Sequence, residues 1–109
     1  MKKLAWLTLI GFALVAGSAS GAEVKALYDK HCAKCHGMDG TGKTKMGRQS
    51  GVKDYTDAKV QAELKDDVAL KTIKEGITEK GKERMKSYAN ELSDADIKAL
   101  IAHMRAFKK

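Results

Sequence analysis

The sequence predicts an all-α fold, and three observations carry that prediction. Apolar residues recur at helical spacing in four separate stretches, no stretch alternates cleanly enough for a strand, and no internal repeat is visible. Val24, Leu27, Tyr28 and His31 mark a short amphipathic helix running from about Glu23 toward the first cysteine. From Gly37 to Gly51 the chain is rich in glycine and poor in apolar residues, which reads as a loop. Thr56 or Asp57 can cap a short helix through Val60 and Leu64. Asp66 or Asp67 can cap the next, with Leu70, Ile73 and Ile77 on its inner face and Gly76 as its stop. Lys80 to Asn90 reads as polar and irregular. The last helix is the clearest. Ser93-Asp94-Ala95-Asp96 is a variant of the capping box, and Ile97, Leu100, Ile101, Met104 and Phe107 follow as one stripe.

The first residues form a unit of their own. Lys2 and Lys3 precede an apolar run, Leu4 to Ala16, and the small residues of Gly17 to Ala22 follow it. Charge, apolar stretch and small-residue exit in that order describe a secretory leader. A 13-residue run containing Thr8 and Gly11 is short for a membrane span, which needs about 20 residues. The expected division is a signal peptide over residues 1–21 and one domain over 22–109, with cleavage before Ala22 or Glu23. No cysteine stands at the junction to take a lipid anchor. The product is expected to be soluble, exported and periplasmic, with no stable membrane anchor.

Loss of Lys2 and Lys3 leaves 19 basic residues against 14 acidic ones, so the net charge falls from +7 to +5. So small a domain usually needs a disulfide, a metal or a cofactor as added support. The chain also contains no proline, so its long loops need something to order them.

The only two cysteines stand in Cys32-Ala33-Lys34-Cys35-His36. On a helical turn, positions i, i+3 and i+4 share a face, so two sulfurs and an imidazole can meet one flat ligand. C-x-x-C-H is the attachment sequence for c-type haem, in which both thiols add to vinyl groups and the histidine coordinates iron. The competing readings are weaker. A structural zinc site needs a matching second pair of ligands, and His31 and His103 do not form one. A thioredoxin-like motif needs a βαβ context, which is missing. A disulfide closing so short a loop would remove little chain entropy.

Beyond the motif, Cys32 to Gly37 followed by Asp39-Gly40-Thr41-Gly42 resembles the CxxCHG-x-DGxG opening of small class I cytochromes c. Gly81-Lys82-Glu83-Arg84-Met85-Lys86-Ser87-Tyr88, followed by Leu92 to Ile97, is similar to their methionine loop and final helix. The resemblance implies a helical domain wrapped around one haem c, covalent through Cys32 and Cys35. It also implies a crossing of the first and last helices, with Tyr28 and Phe107 near it. Two positions depart from the family pattern. Lys86 stands where proline often follows the methionine, and Gly47-Arg48 stands where a Gly-Pro pair often supplies the carbonyl for the proximal imidazole.

The second axial ligand is expected to be Met85. Met1 leaves with the leader, Met38 lies two residues from His36, and Met104 belongs to the apolar stripe of the last helix. Met46, in the glycine-rich loop, stays as a competitor. Met85 lies 49 positions after His36, enough chain to pass round a haem edge, and it holds the family's ligand position. The candidate site is therefore Cys32, Cys35, His36 and Met85, with His36 and Met85 on iron. His31 reads as a helix-margin residue, and His103, beside the apolar stripe, as a surface or edge residue.

The expected function is one-electron transfer by a monomeric, non-enzymatic carrier. Lys43, Lys45 and Arg48, with Lys80, Lys82, Arg84 and Lys86, form a basic rim suited to transient redox partners with acidic docking surfaces. No nucleic-acid partner is expected, because no aromatic–basic reading surface is present. The alternatives are a haem sensor or peroxidase-like protein with a labile sixth ligand, and a thiol–disulfide oxidoreductase.

Overall fold

The computed structural model describes residues 21–109. The leader reading of the preceding residues lies outside this range. Six helices and one small hairpin follow in order: α1 (Gly21–His31), α2 (Ala33–His36), α3 (Lys45–Ser50), α4 (Ala58–Glu63), α5 (Asp66–Glu75), β1 (Ile77–Glu79), β2 (Lys82–Met85) and α6 (Asp94–Arg105).

The first and last helices pack together, and α5 closes on α6 from another side. Val24 and Tyr28 of α1 meet Ile97, Leu100, Ile101 and Met104 of α6, while Ala69 and Ile73 enter from α5. Tyr28, Ile97 and Leu100 are the most deeply buried large side chains. The stripe read from the sequence is therefore the core. At the crossing, the Tyr28 and Phe107 rings lie 5.2 Å apart, as the family resemblance implies. His103 sits at the edge of the core, beside the apolar stripe. It is partly buried, with its ring 4.8 Å from Tyr28 and 5.2 Å from Phe107.

The caps explain where several helices start. Ser93 Oγ accepts from the Asp96 N–H and the Asp96 carboxylate accepts from the Ser93 N–H, completing the capping box of α6. Asp57 caps α4 by accepting from the Lys59 N–H at 2.8 Å. The N-cap of α5 is Lys65, without a side-chain bond, and Asp66 and Asp67 lie in the first turn instead. There they favour the positive end of the helix dipole.

Two expectations are corrected. The glycine-rich stretch contains α3, capped by Thr44 Oγ1 and ended by Gly51 in the left-handed conformation. The polar stretch after α5 contains an antiparallel hairpin, with Ile77 opposite Met85 and Glu79 opposite Lys82. Ile77 therefore belongs to a strand, not to the inner face of α5. Lys80 (φ 51°) and Gly81 (φ 75°) make the turn, which needs positive φ at both centres. Most of the hairpin's side chains are exposed, so no alternation of apolar and polar residues betrays it.

Gln61 is the polar residue buried with this core. Its amide nitrogen donates to the carbonyls of Tyr55 and Met104, at 2.6 and 2.9 Å. Arg105 from α6 returns to the carbonyls of Gln61 and Leu64 and to the Asp66 carboxylate. This polar knot ties the α4–α5 corner to the end of α6.

Candidate functional site

The C-x-x-C-H turn sits where α1 gives way to α2. The Cys32 N–H still donates to the Tyr28 carbonyl, and the Cys35 and His36 N–H groups both return to the Cys32 carbonyl. That helical winding turns Cys32, Cys35 and His36 toward one side. Gly37 ends α2, and its carbonyl accepts the buried Tyr28 hydroxyl at 2.6 Å. The attachment turn is thereby fastened to the deepest side chain of the core.

A second support comes from α3. Thr44 Oγ1 donates to the Cys35 carbonyl at 2.7 Å and accepts from the Gly47 N–H. A Cβ at position 47 would lie 2.3 Å from the Cys35 carbonyl oxygen, so only glycine lets α3 approach this closely. The Tyr55 ring covers His36 with centroids 5.6 Å apart.

The electrostatics of the turn bear on its chemistry. Burial holds the His36 imidazole below its ordinary pKa, which favours the neutral form that a metal requires. Burial, aided by Cys35, pushes the Cys32 thiol up to about 11. Thiol–disulfide oxidoreductases work through thiols shifted the other way, toward the thiolate. Cys32 and Cys35 are not bridged to each other. Among the described residues, no cluster of three or more histidine, cysteine or acidic side chains is arranged to hold a metal.

Met85 ends β2, partly buried and packed against the core. Its surroundings are tightly built. Gly76 has φ 75°, and a Cβ there would lie 2.5 Å from the Met85 carbonyl oxygen and 2.8 Å from Ser87 N. The Tyr88 N–H donates to the Ile73 carbonyl, and Ser87 Oγ donates to the Lys74 carbonyl at 2.6 Å. Tyr88 also reaches the attachment turn, its hydroxyl donating to the His31 carbonyl at 2.8 Å. The methionine segment is thus bonded to both α5 and the end of α1. Gly76→Ala is expected to displace it, at a cost of about 2 kcal/mol or more from the left-handed φ and the close contact. Denaturant unfolding measures that loss.

Of the other described methionines, Met104 is core at 7% exposure, as the sequence reading expects. Met38 is open at 65%, and the competitor Met46 is also exposed, at 38%.

The residues present fit a haem. Both thiols are unbridged on one helical turn, and His36 Nδ1 is buried without a hydrogen-bond partner. Residues 21–108 match the cytochrome c family.

The chain belongs to the cytochrome c family.

Among solved structures, this cytochrome is similar to the c-type cytochrome KustC0563, at 34% identity and a TM-score of 0.67. That match covers 78% of this chain and 96% of the other. A tyrosine-to-phenylalanine mutant of KustC0563 is similar at 33% identity and a TM-score of 0.69, covering 78% and 98%. No curated protein matches the chain. Family membership brings covalent haem c as the cofactor, for which Cys32 and Cys35 are the attachment pair, and haem-based electron transfer as the activity. No helix among the described residues is long and apolar enough to cross a membrane.

The signals for Cys32, Cys35 and His36 as an attachment turn were in the sequence. Those for Gly76 and Gly47 were not, because each is required by a neighbouring backbone that only the fold supplies.

Proposed function

We propose that this cytochrome is an exported, soluble carrier that passes single electrons through a haem held by His36 and Met85. The observation that carries the ligand assignment is the treatment of the four described methionines. Met85 alone is neither core nor freely exposed, and its loop is fastened to α5 and to the attachment turn. Haem supplies the ferric–ferrous couple. The chain supplies a neutral imidazole from His36 and a thioether from Met85, and a thioether ligand raises the potential relative to two histidines. The role is that of a carrier, not an enzyme. A reversible one-electron wave in voltammetry is expected, and an irreversible catalytic wave with peroxide would favour the peroxidase-like reading instead.

Export follows from Lys2, Lys3 and the Leu4–Ala16 run. Expressed with its leader, the periplasmic product should begin at Ala22 or Glu23 and contain no tryptophan, because Trp6 is the only one in the chain. Intact mass and intrinsic fluorescence check this. A secreted protein that retains Trp6 would refute the leader.

Partners are proposed to be acidic redox proteins met transiently, with the cytochrome itself monomeric. The basic rim is uneven. Lys86 is paired with Glu91 and lies over the Tyr88 ring, and Arg84 is engaged by Gln49 and Glu79. Lys34, Lys43, Lys45 and Arg48, on and beside α2 and α3, are exposed and in no ion pair among the described residues. These free charges are placed to steer an acidic partner to the attachment side. Reversing Lys45 and Arg48 should slow association several-fold at low salt, and reversing Lys86 should slow it less. The difference should shrink as salt rises, because exposed charges are screened over ~8–10 Å at ordinary ionic strength. Stopped-flow association rates read both effects.

A further inference from the structure

Among the described residues, two buried side-chain polar atoms lack a hydrogen-bond partner, His36 Nδ1 and Arg84 Nε. One belongs to the attachment motif. The other belongs to the residue immediately before Met85, on β2. A buried N–H left unpaired carries a desolvation cost that nothing repays, and the cost is larger when the group is charged. Such atoms are uncommon in native proteins and call for a partner.

The rest of the Arg84 guanidinium is fixed. Its Nη1 donates to the Gln49 carbonyl at 3.0 Å, near the end of α3. That bond joins the hairpin carrying Met85 to the helix that packs on the attachment turn. Glu79 Oε2 lies 3.9 Å from Nε, beyond hydrogen-bond distance, on a side chain that is 66% exposed. The chain's other two arginines are placed differently. Arg105 spends its donors on Gln61, Leu64 and Asp66, and Arg48 is exposed on α3.

We propose that Arg84 Nε donates to a haem propionate, so that one guanidinium anchors the propionate and joins the hairpin to α3. The proposal rests on the haem reading above. A propionate is an anionic carboxylate, and guanidinium–carboxylate bonds are among the stronger charge-assisted hydrogen bonds in proteins. The Gln49 carbonyl holds the group in orientation, so Nε does not have to be ordered when the propionate is met. A cation at this position also opposes the extra positive charge of the ferric state, which raises the reduction potential.

The test uses full-length protein matured in the periplasm, as wild type, Arg84→Lys, Arg84→Met and Glu79→Gln. Two quantities are read, the propionate bending band in the resonance Raman spectrum and the midpoint potential. Lysine can keep the charge and reach the Gln49 carbonyl, but it has no Nε–H. The propionate band should therefore move in both Arg84 variants. The potential should fall in Arg84→Met and fall less in Arg84→Lys. Glu79→Gln should leave the band in place. An unmoved band in Arg84→Lys would overturn the contact, and that variant decides alone if Arg84→Met fails to accumulate. A band that moves as far in Glu79→Gln as in Arg84→Met would overturn it as well. Wild type without covalent haem would refute the underlying reading, whereas haem present with an unmoved band refutes only this one.

Discussion

Replacing Cys32 and Cys35 together by alanine is expected to leave a chain that carries no covalent haem and does not complete its fold. The buried core holds ten apolar residues from a domain of fewer than 90, which is little to set against the entropy of ordering the chain. Covalent haem would add a large apolar surface to that small core. Wild-type haem should stay with the polypeptide through acid–acetone extraction and denaturing electrophoresis. The double variant should retain none, and its far-ultraviolet dichroism should lose much of its helical signal. A single replacement should keep haem through the other thioether, with lower yield. Extraction of haem from the wild type would refute covalent attachment.

Met85→Ala is expected to have the next largest effect, and on function more than on fold. Its neighbours hold the loop through backbone bonds from Tyr88 and a side-chain bond from Ser87, and neither depends on the methionine sulfur. The variant should therefore fold with its haem attached. It should lose the weak far-red sulfur-to-iron band of the oxidised protein, show a lower potential and bind carbon monoxide when reduced. Met46→Ala should leave the band in place, because Met46 is exposed on α3. A band that survives in Met85→Ala and vanishes in Met46→Ala would assign the ligand to Met46.

The elements legible in the sequence are those whose signals are local. Cys32, Cys35 and His36 announce themselves by spacing, and α6 by its capping box and by a stripe whose helical members, Ile97, Leu100, Ile101 and Met104, the structure buries. The hairpin was not legible. Its two strands are short and mostly exposed, so they leave no period-two pattern, and Lys80 takes a positive φ that its residue type does not advertise. Helix α3 was hidden for a related reason. It has six residues and a central glycine, and it is held by Thr44 and by close approach to the Cys35 carbonyl, not by an apolar face. Gln61 and Arg105 carry no local signal, yet they form the knot between α4, α5 and α6, because carbonyls freed at two helix ends meet there. The ring packing of His103 was not legible either, because one of the rings beside it comes from Tyr28, far away in sequence.

A closed six-coordinate iron is what separates a carrier from a sensor or peroxidase-like protein. The most direct measurement is the visible spectrum of the reduced wild-type protein before and after carbon monoxide is added at neutral pH. With Met85 in place, the spectrum should stay unchanged. An immediate shift of the main haem band in the wild type would mean that the sixth position is open, and would contradict the carrier assignment.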